Sequence, residues 1–127
     1  MYVEYNPNPM GRNTGDCVVR AVSKALDTDW TTAFDYVTRA AGRLYDMPEA
    51  NHVWIGLLKD AGFRLYSLPD SCPDCYTVRE FALEHPSGLY VLGTGTHVVT
   101  VEDGDWFDSY DSGDLVPIFY LRYSHGL

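Results

Sequence analysis

Cys17 lies where a turn gives way to a helix, a position that favours the reactive form of a cysteine. Thr14, Gly15 and Asp16 are turn and N-cap residues. After them, apolar residues recur at helical spacing as far as Leu26, which predicts an amphipathic helix. The first turn of a helix has unpaired N–H groups and a positive dipole end, and both stabilise a thiolate. The alternative is a small buried hydrophobic residue that happens to begin a helix.

Four histidines are candidates to activate that thiol, and their contexts differ. His97 opens a predicted strand directly after the glycine-rich segment 93–96, so its imidazole can face a cleft with little obstruction. We expect His85 to cap a surface helix, and His52 to be a helix cap or a cleft residue. We expect His125, in the C-terminal tail, to be disordered rather than catalytic. For His97, the alternative is a histidine held at a strand end with no chemical role.

A predicted hairpin places a carboxylate beside His97. With residues 103–104 as its two-residue turn, His97 lies opposite Tyr110 in the paired strand. Side chains alternate between the faces of a strand, so Asp108 shares the face of His97 and is its diagonal neighbour. Asp111 falls on the opposite face unless the turn after Ser109 rotates it back. This register predicts that Asp108, and not Asp111, contacts the imidazole.

Cys17, His97 and Asp108 therefore have the residue types needed for nucleophilic catalysis. In such a set the thiolate attacks a carbonyl, the imidazole serves as base and then as acid, and the carboxylate fixes the imidazole tautomer. We predict neither a metal nor a cofactor for this site. The alternative is that Asp108 is simply one of the solvated acids between positions 102 and 114.

The order of these residues resembles the papain-like cysteine peptidase fold. A Gly-Asp-Cys sequence ends at Cys17 and opens a helix, and His97 and Asp108 follow in paired strands. In style this is most similar to the compact bacterial peptidases that trim double-glycine leader peptides. The chain also resembles small proteins of phages and Gram-positive bacteria, which imply no particular activity. The peptidase resemblance implies a nucleophile on the helical half, a base on the sheet half, and substrate between them.

One position departs from that family. Papain-like enzymes usually carry a glutamine about six residues before the cysteine as the donor to the oxyanion, and this chain has Gly11 there. The resemblance therefore assigns that role to Asn13 or Asn8, acting together with the backbone N–H of Cys17.

Cys72 and Cys75 allow three interpretations. Their CxxC spacing can form half of a zinc site with His85 as the nearest further ligand, or a redox pair, although no βαβ pattern precedes it. We favour the third, a tight turn with two half-buried thiols. The odd total of three cysteines argues against a disulfide framework and fits a reducing compartment.

The rest of the chain supplies the elements that position these residues. Residues 1–13 are predicted to be extended loop, because two Asn-Pro pairs and a glycine disfavour helix. Helices are predicted over 17–26, 30–42, 51–61 and 77–85, and strands over 63–68, 88–93, 96–101, 106–109 and 116–122. A helical N-terminal half thus faces a mostly antiparallel C-terminal sheet, which predicts an α+β domain.

Length and charge limit the function further. We expect residues 1–127 to form a single domain. The net charge of −9 disfavours nucleic acids and anionic membranes as partners. No apolar run approaches the roughly 18 residues that span a bilayer, and the N-terminus lacks the pattern of a signal peptide. We therefore predict the cytoplasm of a bacterium or a phage-infected host cell.

These observations predict a cysteine peptidase or related thiol acyl hydrolase that acts on a peptide or protein substrate. An alternative from another class is a catalytically silent module that keeps the papain-like fold and binds a partner peptide. A third is a small structural domain with a metal on Cys72 and Cys75.

Overall fold

The computed structural model describes residues 1–124, which form one sheet with helices on both of its faces. In chain order the elements are β1 (Tyr2–Glu4), α1 (Cys17–Ala25), α2 (Trp30–Leu44), α3 (Asn51–Asp60), β2 (Phe63–Ser67), α4 (Val78–Glu84), β3 (Leu89–Gly93), β4 (Val98–Glu102), β5 (Asp105–Asp108) and β6 (Phe119–Tyr123). The α+β class is confirmed, and each predicted helix and strand is present. His125 lies outside the described residues.

The six strands are ordered β1-β5-β4-β3-β6-β2, and all neighbours are antiparallel except β1 and β5. The prediction of loop throughout residues 1–13 is wrong at Tyr2–Glu4, which forms β1 and pairs in parallel with β5. Three residues are too few to show a strand periodicity. Their partner strand also lies about a hundred residues away in the chain, so no local signal marks the pairing.

The turn between β4 and β5 has the predicted register. Glu102 pairs with Asp105, and Asp103 and Gly104 both have positive φ, at 51° and 84°. Two consecutive residues of positive φ are what a two-residue turn of type I′ requires. The prediction that His97 itself opens the strand is wrong, because β4 begins one residue later.

The sheet separates two apolar clusters. On one face, α1, α2 and α3 pack with their buried side chains against Val91 and Leu121 of the sheet. On the other face, Phe81 of α4 packs against Leu92 and Val101. Alternate residues of β3 and β4 thus face opposite clusters, as strand pleating requires. The N-terminal helices cover one face only, which fixes the start of α1 against β4 and β5.

Cys72 and Cys75 form a disulfide, so the prediction of two free thiols is wrong. A separation of three residues in a turn brings their Cα atoms to 4.1 Å, close enough for a bond. The odd count leaves Cys17 as the free cysteine. With both sulfurs in that bond, neither is available as a zinc ligand in this structure. Among residues 1–124, no helix is long and apolar enough to cross a membrane.

Candidate active site

Cys17 is the first residue of α1, and its side chain is partly exposed. The predicted position at a helix N-terminus is confirmed. The residue at the N-cap, Asp16, makes no side-chain hydrogen bond to the helix backbone. Its carboxylate instead accepts hydrogen bonds from Arg20 and Trp30. The N–H groups of the first turn are therefore not capped by Asp16, and they remain to stabilise a charge on the sulfur.

His97 lies between Cys17 and Asp108. Its Nε2 is 2.7 Å from Oδ2 of Asp108, and its ring lies beside the Cys17 thiol, with which it lines two cavities and interacts electrostatically. Because Nε2 is engaged by the carboxylate, Nδ1 is the nitrogen left to serve the thiol. The predicted contact between His97 and Asp108 is thus confirmed. The last backbone pair between β4 and β5 is Thr100 with Phe107, and His97 and Asp108 lie beyond it. The alignment of the two strands therefore continues as far as the histidine, although their backbone pairing does not.

The loop before His97 holds the ring in place. The Thr94 hydroxyl accepts a hydrogen bond from the His97 backbone N–H at 3.0 Å, and the Thr94 N–H donates to the His97 carbonyl at 2.9 Å. Gly93 must be glycine, because a Cβ there would lie 2.2 Å from the Phe119 ring. This close approach sets where the loop leaves β3.

Asp108 is fully buried and accepts from several donors in addition to His97. The Ser112 hydroxyl donates to Oδ2 at 2.6 Å, the Ser109 backbone N–H donates to Oδ1 at 2.8 Å, and Arg20 lies 3.0 Å from Oδ1. The backbone of Asp108 is also held, because the N–H of Tyr5, next to β1, donates to its carbonyl at 2.7 Å. A buried carboxylate with this many donors stays ionised and has a fixed orientation.

Arg20 connects Asp108 to residues at the start of α1 and α2. It is buried and bridges two carboxylates, Asp16 at 2.6 Å and Asp108 at 3.0 Å. The indole N–H of Trp30 donates to the second oxygen of Asp16 at 2.9 Å. The sequence analysis does not identify Arg20, although the spacing of four residues between Asp16 and Arg20 is the signal of a helical ion pair.

Asp111 is hydrogen-bonded to a residue other than His97. It accepts a hydrogen bond from the indole N–H of Trp106 at 2.9 Å and lies near Arg79. The prediction that Asp111 does not contact the histidine is confirmed. Tyr110, predicted to lie opposite His97, has its ring centroid 5.2 Å from that of the imidazole, so it covers one side of the site.

The electrostatics of the site favour a charged pair. Burial alone would raise the pKa of Cys17, but hydrogen bonding to His97, the charge of that ring and the Val98 backbone N–H bring this pKa below its usual value. Burial would likewise lower the pKa of His97, but hydrogen bonds with Asp108 and Cys17 raise it to about 9. Burial alone would raise the pKa of Asp108, but the hydrogen bonds with His97 and Ser112 and the charges of His97 and Arg20 together lower it. The pKa shifts of Cys17 and His97 both favour the ion pair, a thiolate beside an imidazolium, over the neutral pair.

Two cavities adjoin this pair, and a third lies next to them. The thiol cavity, of about 580 Å³, is lined by Cys17, His97, Tyr110 and the segment 13–15. The glycine cavity has a volume of about 360 Å³. Cys17 and His97 line it, together with glycine, apolar and polar residues from three parts of the chain: Gly93, Gly95, Thr96, Val18, Val98, Phe119, Asn51 and Glu49. The indole cavity, of about 740 Å³, lies across the segment 13–15 and contains Trp30 and Phe34, whose rings stack at 5.0 Å. Space for an extended substrate is thus present on both sides of the sulfur.

The two asparagines predicted as oxyanion donors lie in different places. Asn13 lines both the thiol cavity and the indole cavity. Asn8 lines only the indole cavity, and its amide oxygen accepts hydrogen bonds from the backbone N–H groups of Met10 and Arg12. The structure thus brings Asn13 to the space next to Cys17 and uses Asn8 to shape the preceding loop.

The other described histidines lie in structural settings. His52, near the start of α3, is 2.5 Å from the carboxylate of Asp46. His85, the residue after α4, contacts the Phe81 carbonyl at 2.7 Å and stacks on the Phe81 ring. No group of three or more histidine, cysteine or acidic side chains within residues 1–124 has an arrangement suited to a metal ion.

A scan against protein families and searches of the curated proteins and the solved structures found no match to this chain. The functional argument therefore depends on the geometry of the site.

Proposed function

We propose that the protein is a papain-like cysteine peptidase or a related thiol acyl hydrolase, with Cys17 as nucleophile. One observation carries the proposal: a buried Asp108 is hydrogen-bonded to His97, and His97 shares a cavity with the partly exposed sulfur of Cys17. A buried carboxylate, an imidazole and an accessible sulfur in this order are the groups that covalent acyl transfer requires.

In this mechanism the Cys17 thiolate attacks a substrate carbonyl, and the pair of π electrons moves onto the oxygen. Collapse of the tetrahedral intermediate breaks the bond to the leaving amine, which takes the proton from His97. The neutral imidazole then accepts a proton from water, and the resulting hydroxide attacks the thioester. Collapse of this second intermediate breaks the C–S bond, releases the acid and restores the Cys17 thiolate beside the imidazolium. Asp108 stabilises the imidazolium in both halves of the reaction. The backbone N–H of Cys17 and the side-chain amide of Asn13 are the proposed oxyanion donors.

The proposed substrate is a peptide or protein. Nucleic acids and anionic membranes are disfavoured by the net charge of −9. The proposed compartment is the cytoplasm of a bacterium or a phage-infected cell.

Alkylation by iodoacetamide tests the proposal directly. An ordinary thiol is mostly protonated between about pH 6 and pH 8. In this range we expect Cys17 to react much faster than glutathione. We expect the rate of Cys17 to fall at lower pH. Peptide mapping identifies the labelled residue. Cys17→Ala should abolish labelling and any hydrolysis of peptide or thioester substrates, with a melting temperature within a few degrees of wild type, because the thiol is only partly buried.

The same experiment addresses the silent peptide-binding module. A Cys17 that reacts no faster than glutathione at pH 7 would contradict the peptidase and favour that alternative. A large loss of stability in Cys17→Ala would indicate that the side chain serves the core rather than the chemistry.

A further inference from the structure

Glu49 lies where the three cavities of the candidate site meet. It lies in the loop between α2 and α3 and lines all three cavities, two of which Cys17 also lines. Its side chain is exposed, and it makes no hydrogen bond or ion pair with any residue from 1 to 124. A charged group without a partner, at the junction of three cavities, contributes little to folding and is free to meet a ligand.

The other charges in these cavities are already compensated or lie to one side. Asp16 lines the indole cavity and Arg20 lines the thiol cavity, but these two residues are paired with each other. Arg12 lines the indole cavity alone. In the glycine cavity Glu49 is the sole acid and His97, paired with Asp108, the sole histidine among the lining residues. In the two cavities that Cys17 itself lines, the uncompensated charge is therefore the negative charge of Glu49.

The glycine cavity combines that charge with apolar walls. Val18, Val98 and Phe119 form an apolar lining, and Gly93 and Gly95 add backbone without side chains. Besides Thr96 and the pair of Cys17 and His97, its polar members are Glu49 and Asn51. Such a cavity suits a side chain with a methylene stem and a cationic tip, because the stem packs against apolar walls and the tip reaches the carboxylate. A carboxylate tip would instead be repelled by Glu49.

We propose that Glu49 determines specificity by selecting peptide substrates with a lysine or arginine side chain next to the scissile carbonyl. The inference rests on the proposed function, since it places the cation beside the carbonyl that Cys17 attacks. The net charge of −9 acts in the same direction, because it attracts cationic peptides to the molecule.

Peptidyl chloromethyl ketones test this without requiring turnover. The Cys17 thiolate displaces chloride and forms a thioether, so the inactivation rate reports how well the side chain next to the ketone is accommodated. Four probes differ only at that residue: lysine, arginine, norleucine and glutamate. Each rate is divided by the iodoacetamide rate of the same protein variant, which removes any change in the reactivity of the thiolate.

For the wild type we expect lysine and arginine probes to react about fivefold faster than norleucine, the effect of one ion pair that is open to solvent, and glutamate to react more slowly. Glu49→Gln should remove the preference, and Glu49→Lys should reverse it in favour of glutamate. Asp60→Asn is the matched control: Asp60 is an exposed acid at the end of α3 that lines none of these cavities, and its variant should keep the wild-type preference.

The outcomes separate the two proposals. Equal normalised rates for lysine and norleucine in a wild type that reacts rapidly with iodoacetamide would overturn the role of Glu49 alone. A cation preference that persists in Glu49→Gln would do the same. A wild-type Cys17 that does not react rapidly with iodoacetamide would overturn the proposed function and, with it, this inference.

Discussion

The Asp108 carboxylate is surrounded by donors from four residues: His97, Arg20, Ser109 and Ser112. It does not touch Cys17, yet it raises the pKa of His97, and the imidazolium in turn lowers the pKa of the thiol. The carboxylate thus acts on the nucleophile through the ring between them, and removing its charge should be visible at the sulfur.

Asp108→Asn should raise the pKa of Cys17. The amide has no charge to stabilise the imidazolium, so the pair ionises less readily and the thiolate fraction near pH 7 falls. On the acid limb of the rate profile, a rise of about one pKa unit would slow alkylation about tenfold. The measurement is the pH dependence of the iodoacetamide rate, whose acid limb should move to higher pH while the plateau at high pH is retained. This limb reports the coupled pair rather than Cys17 alone.

Asp111→Asn is the control for that experiment. Asp111 is three residues further along the chain and binds Trp106 and the Gly113 N–H instead of the histidine. Its variant should leave the acid limb unchanged. A larger shift in Asp111→Asn than in Asp108→Asn would contradict the contacts described for the imidazole.

Arg20→Met should destabilise the fold strongly. It leaves Asp16 and Asp108 buried without their shared cation, and breaking a buried pair in this way typically costs about 3–5 kcal/mol of unfolding free energy. Urea unfolding at pH 7 measures it. Arg39→Met is a matched control, because Arg39 forms the same i, i+4 pair with Asp35 on the exposed face of α2. An equal loss of unfolding free energy in both variants would show that the buried ion pairs contribute no more to stability than an exposed pair.

The residues of the site were predictable to different degrees. Cys17, His97 and Asp108 follow from helix-start signals and from a two-residue hairpin, which are local rules. Arg20 was not predicted, because its importance depends on burial between α1 and β5. Glu49 carries no local signal of any kind, since its position at three cavities arises only when the loop after α2 packs near the start of α1.

At the scale of elements, β1 forms the edge of the sheet beside β5 and so supports the strand that carries Asp108. Tyr2 pairs with Trp106 and Glu4 with Asp108, and the Tyr2 hydroxyl donates to the Asp108 carbonyl at 3.2 Å. This strand was missed because its pairing is non-local. The helices and the antiparallel strands were predicted because caps, periodicity and the Asp-Gly turn are signals contained within short segments of sequence.

Deleting residues 1–5 should therefore affect reactivity as well as stability. Without β1 and the Tyr5 N–H, the backbone of Asp108 loses its neighbour on the outer edge, and the carboxylate becomes less well fixed beside His97. We expect a lower melting temperature and slower alkylation of Cys17 at pH 7, measured below the melting transition of the truncated protein. Unchanged alkylation would show that the hairpin alone positions Asp108.

The disulfide loop should have little influence on the site. Cys72 and Cys75 lie between β2 and α4 and line none of the three cavities of the candidate site. A bridge that closes so short a loop contributes about 2 kcal/mol at most by the chain-entropy argument. The double variant Cys72→Ser/Cys75→Ser should keep the wild-type alkylation rate of Cys17, with a modestly lower melting temperature. Loss of that rate would show that the loop is coupled to the nucleophile.

At the scale of the whole molecule, two electrostatic effects act on a reagent that approaches Cys17. Glu49 acts over a few ångströms inside the cavities, whereas the net charge of −9 acts over the surface as a whole. Salt distinguishes them, because the screening length falls from about 30 Å at 0.01 M to about 3 Å at 1 M ionic strength. Glu49→Gln removes one of eighteen acidic side chains and leaves the long-range field nearly intact.

The long-range effect predicts how three small alkylating reagents respond to salt. Iodoacetate is an anion, iodoacetamide is neutral, and 2-bromoethylammonium is a cation. Between 0.01 M and 1 M ionic strength, the rate for iodoacetate relative to iodoacetamide should rise several-fold, because screening removes the repulsion. The relative rate for the cation should fall. Glu49→Gln should shift both ratios at each salt concentration but keep their slopes, since the slope depends on the total charge. Ratios that do not vary with salt would show that the charges at the site, and not those of the whole molecule, control approach to the thiolate.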